Sequence, residues 1–369
     1  MFHPFWCLGA QRKGMVITMK IIALYNHKGG VSKTTTTFNL ARYMQDQGKK
    51  VLVVDADPQC NMTEFLMCNI IEHMDEEALT TGNVEDLPGT SLLDILQPRF
   101  DGEMSIVDID KIETVQTDSN IFLIRGDVAL NRLEDAMAEA HNQRFSNKIH
   151  EKRNYVALGD MLVRYGEKHG FDYILLDVGP SSGALTRSCF LACDAFFVPM
   201  NADRFNVQAI HTLSEILSRW IDEHSKVVAD FQKLGLPIRE GKPIFLGAIP
   251  QHFKKYRGKP KAGFELWIGR LHDALITELV PSLGKIDPKI IQNITPENVI
   301  ITNIPDFGSL ASCSQECGKA VFEISQDDTA LINNDVRWTG ATWADAQSRM
   351  ISYKKEFGKI YDRLEWVSE

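Results

Sequence analysis

No apolar run in this 369-residue sequence is long enough to cross a bilayer. Its opening stretch, MFHPFWCLGAQRKGMVIT, lacks the basic region and sustained apolar core of a signal peptide. Residues 1–18 are read as an N-terminal extension, expected to be poorly ordered or to reflect an upstream start, with Met19 opening the first patterned segment. The seven cysteines form no disulfide-like framework, and the count is odd, which suits a reducing cytoplasm. Two pairs, Cys189/Cys193 and Cys313/Cys317, would each share a helix face. With neither C-x-x-C nor H-E-x-x-H present, buried free thiols are expected there rather than a metal. Internal repeats and low-complexity tracts are also missing. Positive charge is in deficit: 40 Lys and Arg against 49 Asp and Glu give a net −9. That argues against a chain coated in nucleic acid but leaves room for a local basic patch.

What is present is alternation. KIIALYN, KVLVVDA, IFLIRG, DYILLDVG, AFFVPMN and PIFLGAIP read as strands, continuously apolar as parallel strands covered on both faces must be. Helical patterns fall at 34–47, 131–141, 155–169, 185–193, 207–224 and 264–279. Strands alternating with helices predict an α/β fold, a doubly wound, mostly parallel sheet flanked by helices. One domain over 19–369 is expected, with an acidic, turn-rich region at 74–120 forming peripheral helices and loops. At 340–367 the residues Trp343, Ala346, Met350, Tyr353, Phe357, Ile360, Leu364 and Val367 recur at three- and four-residue steps. This is a C-terminal amphipathic helix with a narrow seam, either docked on the parent domain or used in a coiled-coil contact.

YNHKGGVSKTT places a glycine-rich loop between a strand and a helix, the setting in which backbone N–H groups cradle phosphate. Gly29, Gly30, Val31, Ser32, Lys33, Thr34 and Thr35 would line that cradle. Lys33 would reach the β- and γ-phosphates, and the Thr34 hydroxyl would hold Mg²⁺. A second lysine, Lys28, stands before the glycines. Asp55 and Asp57 in VLVVDADPQCNMT end a buried strand, where carboxylates are costly unless they face a cation or a polar site; a helix N-cap is the other use for either one.

KGGVSKTT resembles the deviant Walker A motif of ParA/MinD-type ATPases, the signature-lysine class of P-loop NTPases. Ser32 stands where glycine is usual. The resemblance continues through DADPQCNMT, through FDYILLDVGPSSG, where Gly179 replaces the first proline of the usual pair, and through FFVPMNADRFNVQAI and ITNIPDFGSLASCSQECGKAVFEI, covering about 19–324 in consistent order. It implies ATP and Mg²⁺ as ligands and slow, switch-type ATP hydrolysis. It implies a homodimer with ATP sandwiched between subunits, in which Lys28 contacts the partner's nucleotide. Asp57 would position the attacking water, Asp55 would support metal-bound waters, and Asp177 would act at the metal. Asn201 falls where relatives contact the purine, Asp203 at a usual glutamate, and Pro305 and Asp306 in a loop that lines the adenine. Asn201 and Pro305 read equally well as ordinary strand-end and turn residues.

In such relatives the output is partition of DNA or positioning of a cargo, with a ParB-like activating partner. QHFKKYRGKPKAGF groups Lys254, Lys255, Arg257, Lys259 and Lys261 around Phe253 and Tyr256 without an acid, and Lys355, Lys359 and Arg363 form a basic row on the last helix. Both suit non-specific DNA, or a solvated surface that offsets an acidic chain. The acidic ending DRLEWVSE argues against a membrane-targeting tail. The alternatives are an ATP-gated protein scaffold that never touches DNA, and a P-loop amidotransferase or ligase acting on a small molecule.

Overall fold

The computed structural model describes residues 19–251, 255–256, 259–260 and 262–367. The N-terminal extension, Lys254, Arg257 and Lys261 lie outside the described residues. Of the basic segment, Lys255 and Lys259 fall in two short paired strands.

Seven strands form one sheet: β1 (Lys20–Leu24), β2 (Val51–Ala56), β3 (Val115–Asp118), β4 (Ile121–Ile124), β5 (Tyr173–Val178), β6 (Ala195–Asn201) and β7 (Ile244–Gln251), in the order β3-β4-β2-β5-β1-β6-β7. All pairings are parallel except β3 with β4. Every residue of β2 and β5 is buried, which is why their sequences are apolar without alternation. The expected strands account for all but β3. This four-residue edge strand has the burial of a half-exposed segment, and its alternation is too brief to stand out from a turn-rich region.

The helices are α1 (Lys33–Asp46), α2 (Asn61–Thr81), α3 (Leu92–Phe100), α4 (Asn131–Asn142), α5 (Ile149–His169), α6 (Ala184–Ala192), α7 (Arg204–Lys233), α8 (Ala262–Ala274), α9 (Val280–Ile286), α10 (Ser309–Cys317) and α11 (Gly340–Asp362). Two apolar clusters cover the two faces of the sheet, one including α3–α7 residues and the other α1, α10 and α11 residues. Region 74–120 is less peripheral than its composition implies. α3 starts with a reciprocal Ser91–Asp94 capping box and sends Leu92, Leu93, Ile95 and Leu96 into the core.

The C-terminal seam docks on the parent fold. Ala346, Tyr353, Phe357, Ile360, Leu364 and Val367 are buried, and Trp343 and Met350 pack against the same cluster. The Tyr43 hydroxyl leaves Gly358 no room for a side chain. The basic row on this helix is committed to the fold at Arg363. Arg363 donates to the Asn298 carbonyl while stacking on Trp366, whereas Lys355 and Lys359 are exposed, Lys359 pairing with Glu356 on the same helix. Both cysteine pairs are free and buried, as expected. Cys193 and Cys317 each donate to the carbonyl four residues earlier, at 3.1 and 2.8 Å.

Candidate functional site

Strand order brings the site together. The loops leaving β1, β2 and β5 meet at the carboxyl edge of adjacent strands, where the order reverses and α/β sheets bind ligands. In register, Asp177 stands beside Leu24 on one side and Asp55 on the other.

The loop from Lys28 to Ser32 has the geometry of an anion cradle. Gly30 takes φ 69°, a left-handed conformation that glycine adopts freely. Ser32, the residue before α1, also lies there, at φ 57° and ψ 35°. For a residue with a side chain this costs about 1–2 kcal/mol, so the serine occupies a backbone position built for glycine. The Asn26 side chain accepts from the Lys28 N–H at 3.0 Å and donates to the Pro199 carbonyl at 2.9 Å, tying the loop to β6.

The two lysines part company. Lys33 is buried, and its Nζ donates to the Lys28 carbonyl at 3.1 Å across the loop. Burial lowers its pKa, against the pull of Asp177 and Asp57. The Lys28 ammonium instead lies 5.7 Å from the centre of the exposed Phe205 ring at the start of α7, and it makes no ion pair among the described residues.

Three aspartates crowd the cradle. Asp55 is internally held: Oδ2 accepts from the Thr63 N–H at 2.8 Å and the Thr63 hydroxyl at 2.7 Å, and Oδ1 from the Asp57 N–H at 3.2 Å. Burial pushes its pKa up to about 6 in spite of these donors. Asp57 is nearly buried, with Oδ1 accepting from Gln59 N–H at 3.0 Å. A Cβ at Gly179 would stand 3.1 Å from that oxygen, so the missing side chain leaves the carboxylate its place. Asp177 is fully buried, and neither oxygen makes a well-formed hydrogen bond to a described residue. Burial raises it well above the ordinary carboxylate range, Asp55 and Asp57 raise it further, and the Thr34 hydroxyl and Lys33 oppose them. An orphaned buried carboxylate beside a threonine hydroxyl is a hard-oxygen donor set, and it fits Mg²⁺.

The sign of this shift makes a prediction. A carboxyl whose folded pKa is raised lends most stability below its unfolded pKa and loses it as pH rises towards the folded value. Asp177→Asn should therefore raise the melting temperature of the nucleotide-free protein at neutral pH by several degrees. The gain should shrink at mildly acidic pH, as calorimetry at the two pH values would record.

A cleft of about 980 Å³ runs over the cradle, lined by Gly29 through Thr35, Asp57, Gln59, Asn61, Phe65 and Pro180 among others. Asn201 is not in that lining, but its amide donates to the Gly30 carbonyl at 3.1 Å, so it braces the phosphate loop. Asp203 caps α7 by accepting from the Asn206 N–H at 2.8 Å. Pro305 and Asp306 follow a backbone bond from Ile304 to Pro250 at the end of β7, and neither lines the cleft. Asp306 Oδ1 accepts from Gly308, and its carbonyl from the Tyr353 hydroxyl, so it joins α10 and α11. Sequence reasoning assigned no role to Thr63, Pro180 or Phe205. Thr63 carried a signal, a hydroxyl eight residues after a buried aspartate, whereas Pro180 and Phe205 acquire their places only when strands and helices are assembled.

Over residues 19–229, more than half of the chain, the sequence matches the family described as AAA domain. It is 32% identical over 207 residues to the sporulation initiation inhibitor protein Soj of Bacillus subtilis, covering 56% of this chain and 67% of Soj. It is 29% identical over 202 residues to the chromosome partitioning protein ParA of Caulobacter vibrioides, covering 54% of this chain and 63% of that one. The matched segment thus spans about two-thirds of these relatives' length. Among solved structures, the complex of a Cyanothece McdA variant with ATP aligns at TM-score 0.55 and 19% identity over 94% of this chain and 98% of that one. At this identity the likeness is one of fold, the doubly wound sheet with its flanking helices.

Proposed function

The chain belongs to the ParA/MinD/Soj superfamily of P-loop ATPases, and on that premise we propose that it binds Mg²⁺–ATP in the cleft over the β1–α1 loop, closes into a two-fold dimer around two nucleotides, and reverses by slow hydrolysis. The observation that carries this reading is the separation of the lysines. Lys33 is buried in its own phosphate cradle, while Lys28 is turned outward on Phe205, free to meet a second polyanion.

The chemistry asked of the chain is positioning and charge. The cradle N–H groups and Lys33 hold the β- and γ-phosphates. Thr34 would hold the Mg²⁺ with Asp177 behind it and Asp55 steadying its waters, and the ion would neutralise phosphate charge. Asp57 is fixed on one oxygen by Gln59 N–H and by the space at Gly179, so its carboxylate orients the attacking water. Asn201 keeps the cradle in shape from β6, close to where a base would follow the phosphates.

Asp57→Ala tests the hydrolytic assignment. It should bind ATP with wild-type affinity, turn over at least ~100-fold more slowly, and accumulate as an ATP dimer in light scattering. Wild-type turnover would place the water on another group.

The proposed output is a switch in binding to DNA or another cargo in the cytoplasm, with a ParB-like partner to accelerate reversal. The cation-rich segment Lys254–Lys261 supports DNA, and so does the likeness to a chromosome partitioning protein. No helix among the described residues is long and apolar enough to cross a membrane, and the apolar residues Leu364 and Val367 of the tail are buried in the fold rather than offered to a lipid surface. DNA retention should require ATP and fall steeply with salt. Glutamate at Lys254, Lys255 and Arg257 together should weaken it. Failure of the wild type to bind at low salt with ATP would favour the scaffold role.

A further inference from the structure

Away from the nucleotide cleft, a hollow of about 340 Å³ opens between α4, α6 and α7. Its lining holds three arginines, Arg144, Arg187 and Arg219, against one carboxylate, Glu223. Arg144 and Arg187 share a single Glu223 oxygen, at 3.1 and 2.8 Å. Their Nε–H groups are buried and have no hydrogen-bond partner among the described residues. Arg219 is exposed and in no ion pair among them. Glu134, the nearby acid on α4, is spent on the Ala184 and Leu185 N–H groups at the start of α6. The hollow therefore carries two positive charges in excess. Its field is felt by His141 in the same lining, whose pKa burial lowers to about 2 with help from Arg187 and Arg144.

Three arginines that share one carboxylate leave a hollow that favours an anion, and guanidinium forks match tetrahedral oxyanions. The volume lies at the small end of ligand pockets. We propose that this hollow is a second anion site, which takes a phosphate-class dianion: orthophosphate or a compact phosphomonoester. Arg144, Arg187 and Arg219 all stand in its lining, and so does Ser182. Ser182 and Gly183 belong to the loop that leaves β5 after Val178 and carries Gly179 past Asp57 and Pro180 against Gly29. A bound dianion ties that loop to α4 and α7, and so stiffens the segment beside the water-positioning aspartate.

The test is calorimetric titration of orthophosphate, and separately glycerol 3-phosphate, into the Lys33→Ala protein, whose phosphate loop competes far less. Saturable millimolar or tighter binding of either ligand is expected, and the preference between them identifies the source. Arg219→Ala, at an exposed position, should weaken binding about tenfold or more, with partial rescue by Arg219→Lys. Glu223→Gln should tighten it several-fold by removing the competing carboxylate. The amides of residues 179 and 181–184 should gain hydrogen-exchange protection at saturation. No saturable binding, or isotherms unchanged by both Arg219→Ala and Glu223→Gln in folded protein, would overturn the proposal.

Discussion

Replacing Lys33 with alanine is expected to weaken ATP binding by roughly a hundredfold or more, since two or more charge-assisted hydrogen bonds to phosphate are lost. The geometry makes the effect specific. Lys33 is the buried lysine of the cradle, its Nζ already held over the loop by the Lys28 carbonyl. Backbone N–H groups remain in the variant, but they lack a mobile charge to follow the γ-phosphate. Calorimetric titration with Mg²⁺–ATP, alongside a circular dichroism spectrum matching wild type, checks it. Unchanged affinity would remove the phosphate loop from the account.

Lys28→Ala should behave in the opposite way at the binding step. The cradle, Lys33 and Thr34 stay intact, so ATP affinity should hold within a few-fold. What should disappear is ATP-dependent dimerisation and, with it, most turnover, on the order of a hundredfold. The physical reason is charge. Two ATP molecules brought face to face repel unless each receives cations from across the interface, and the outward Lys28 ammonium, resting on the exposed Phe205 ring, is placed to supply one. On this proposal the side chain would exchange a weak contact with an aromatic face for a charge-assisted one with phosphate.

The parts of this site that were legible in the sequence are those encoded by short contiguous patterns. The parallel strands announced themselves because burial on both faces leaves only apolar residues, and the glycine pair with Lys33 and Thr34 because phosphate binding concentrates its requirements into one loop. β3 was invisible, since a half-exposed edge strand need satisfy only one face. α2 runs unbroken from Asn61 to Thr81, entering the region expected to form peripheral helices and loops, and its packing requirement falls mainly on Met62, Leu66 and Met67 in the first half. Asn201 was placed near the nucleotide by resemblance, but its actual partner, the Gly30 carbonyl, is 171 residues away in sequence and could not be read locally. Asp306 does not line the cleft, and the turn chemistry of Pro305–Asp306 serves α10 and α11. Asp55 was expected at the metal, and the hydroxyl that fixes its orientation, Thr63, lies on α2 and meets it only in the folded chain.

The central claim is that Lys28 acts on the partner's nucleotide while Asp57 acts on its own. The direct measurement is ATP turnover in an equimolar mixture of Lys28→Ala and Asp57→Ala chains, each nearly inactive alone. In the mixed dimer, the intact Lys28 of the Asp57→Ala chain completes the site that keeps its Asp57, and the other site lacks both groups. Random pairing, with half of the dimers carrying one working site of two, would return about a quarter of wild-type turnover, and because Asp57→Ala favours its own dimer the mixture should lie below that and well above the sum of the two variants alone. Turnover no greater than the sum of the two variants alone, or a Lys28→Ala chain that dimerises and hydrolyses ATP as wild type does, would contradict it.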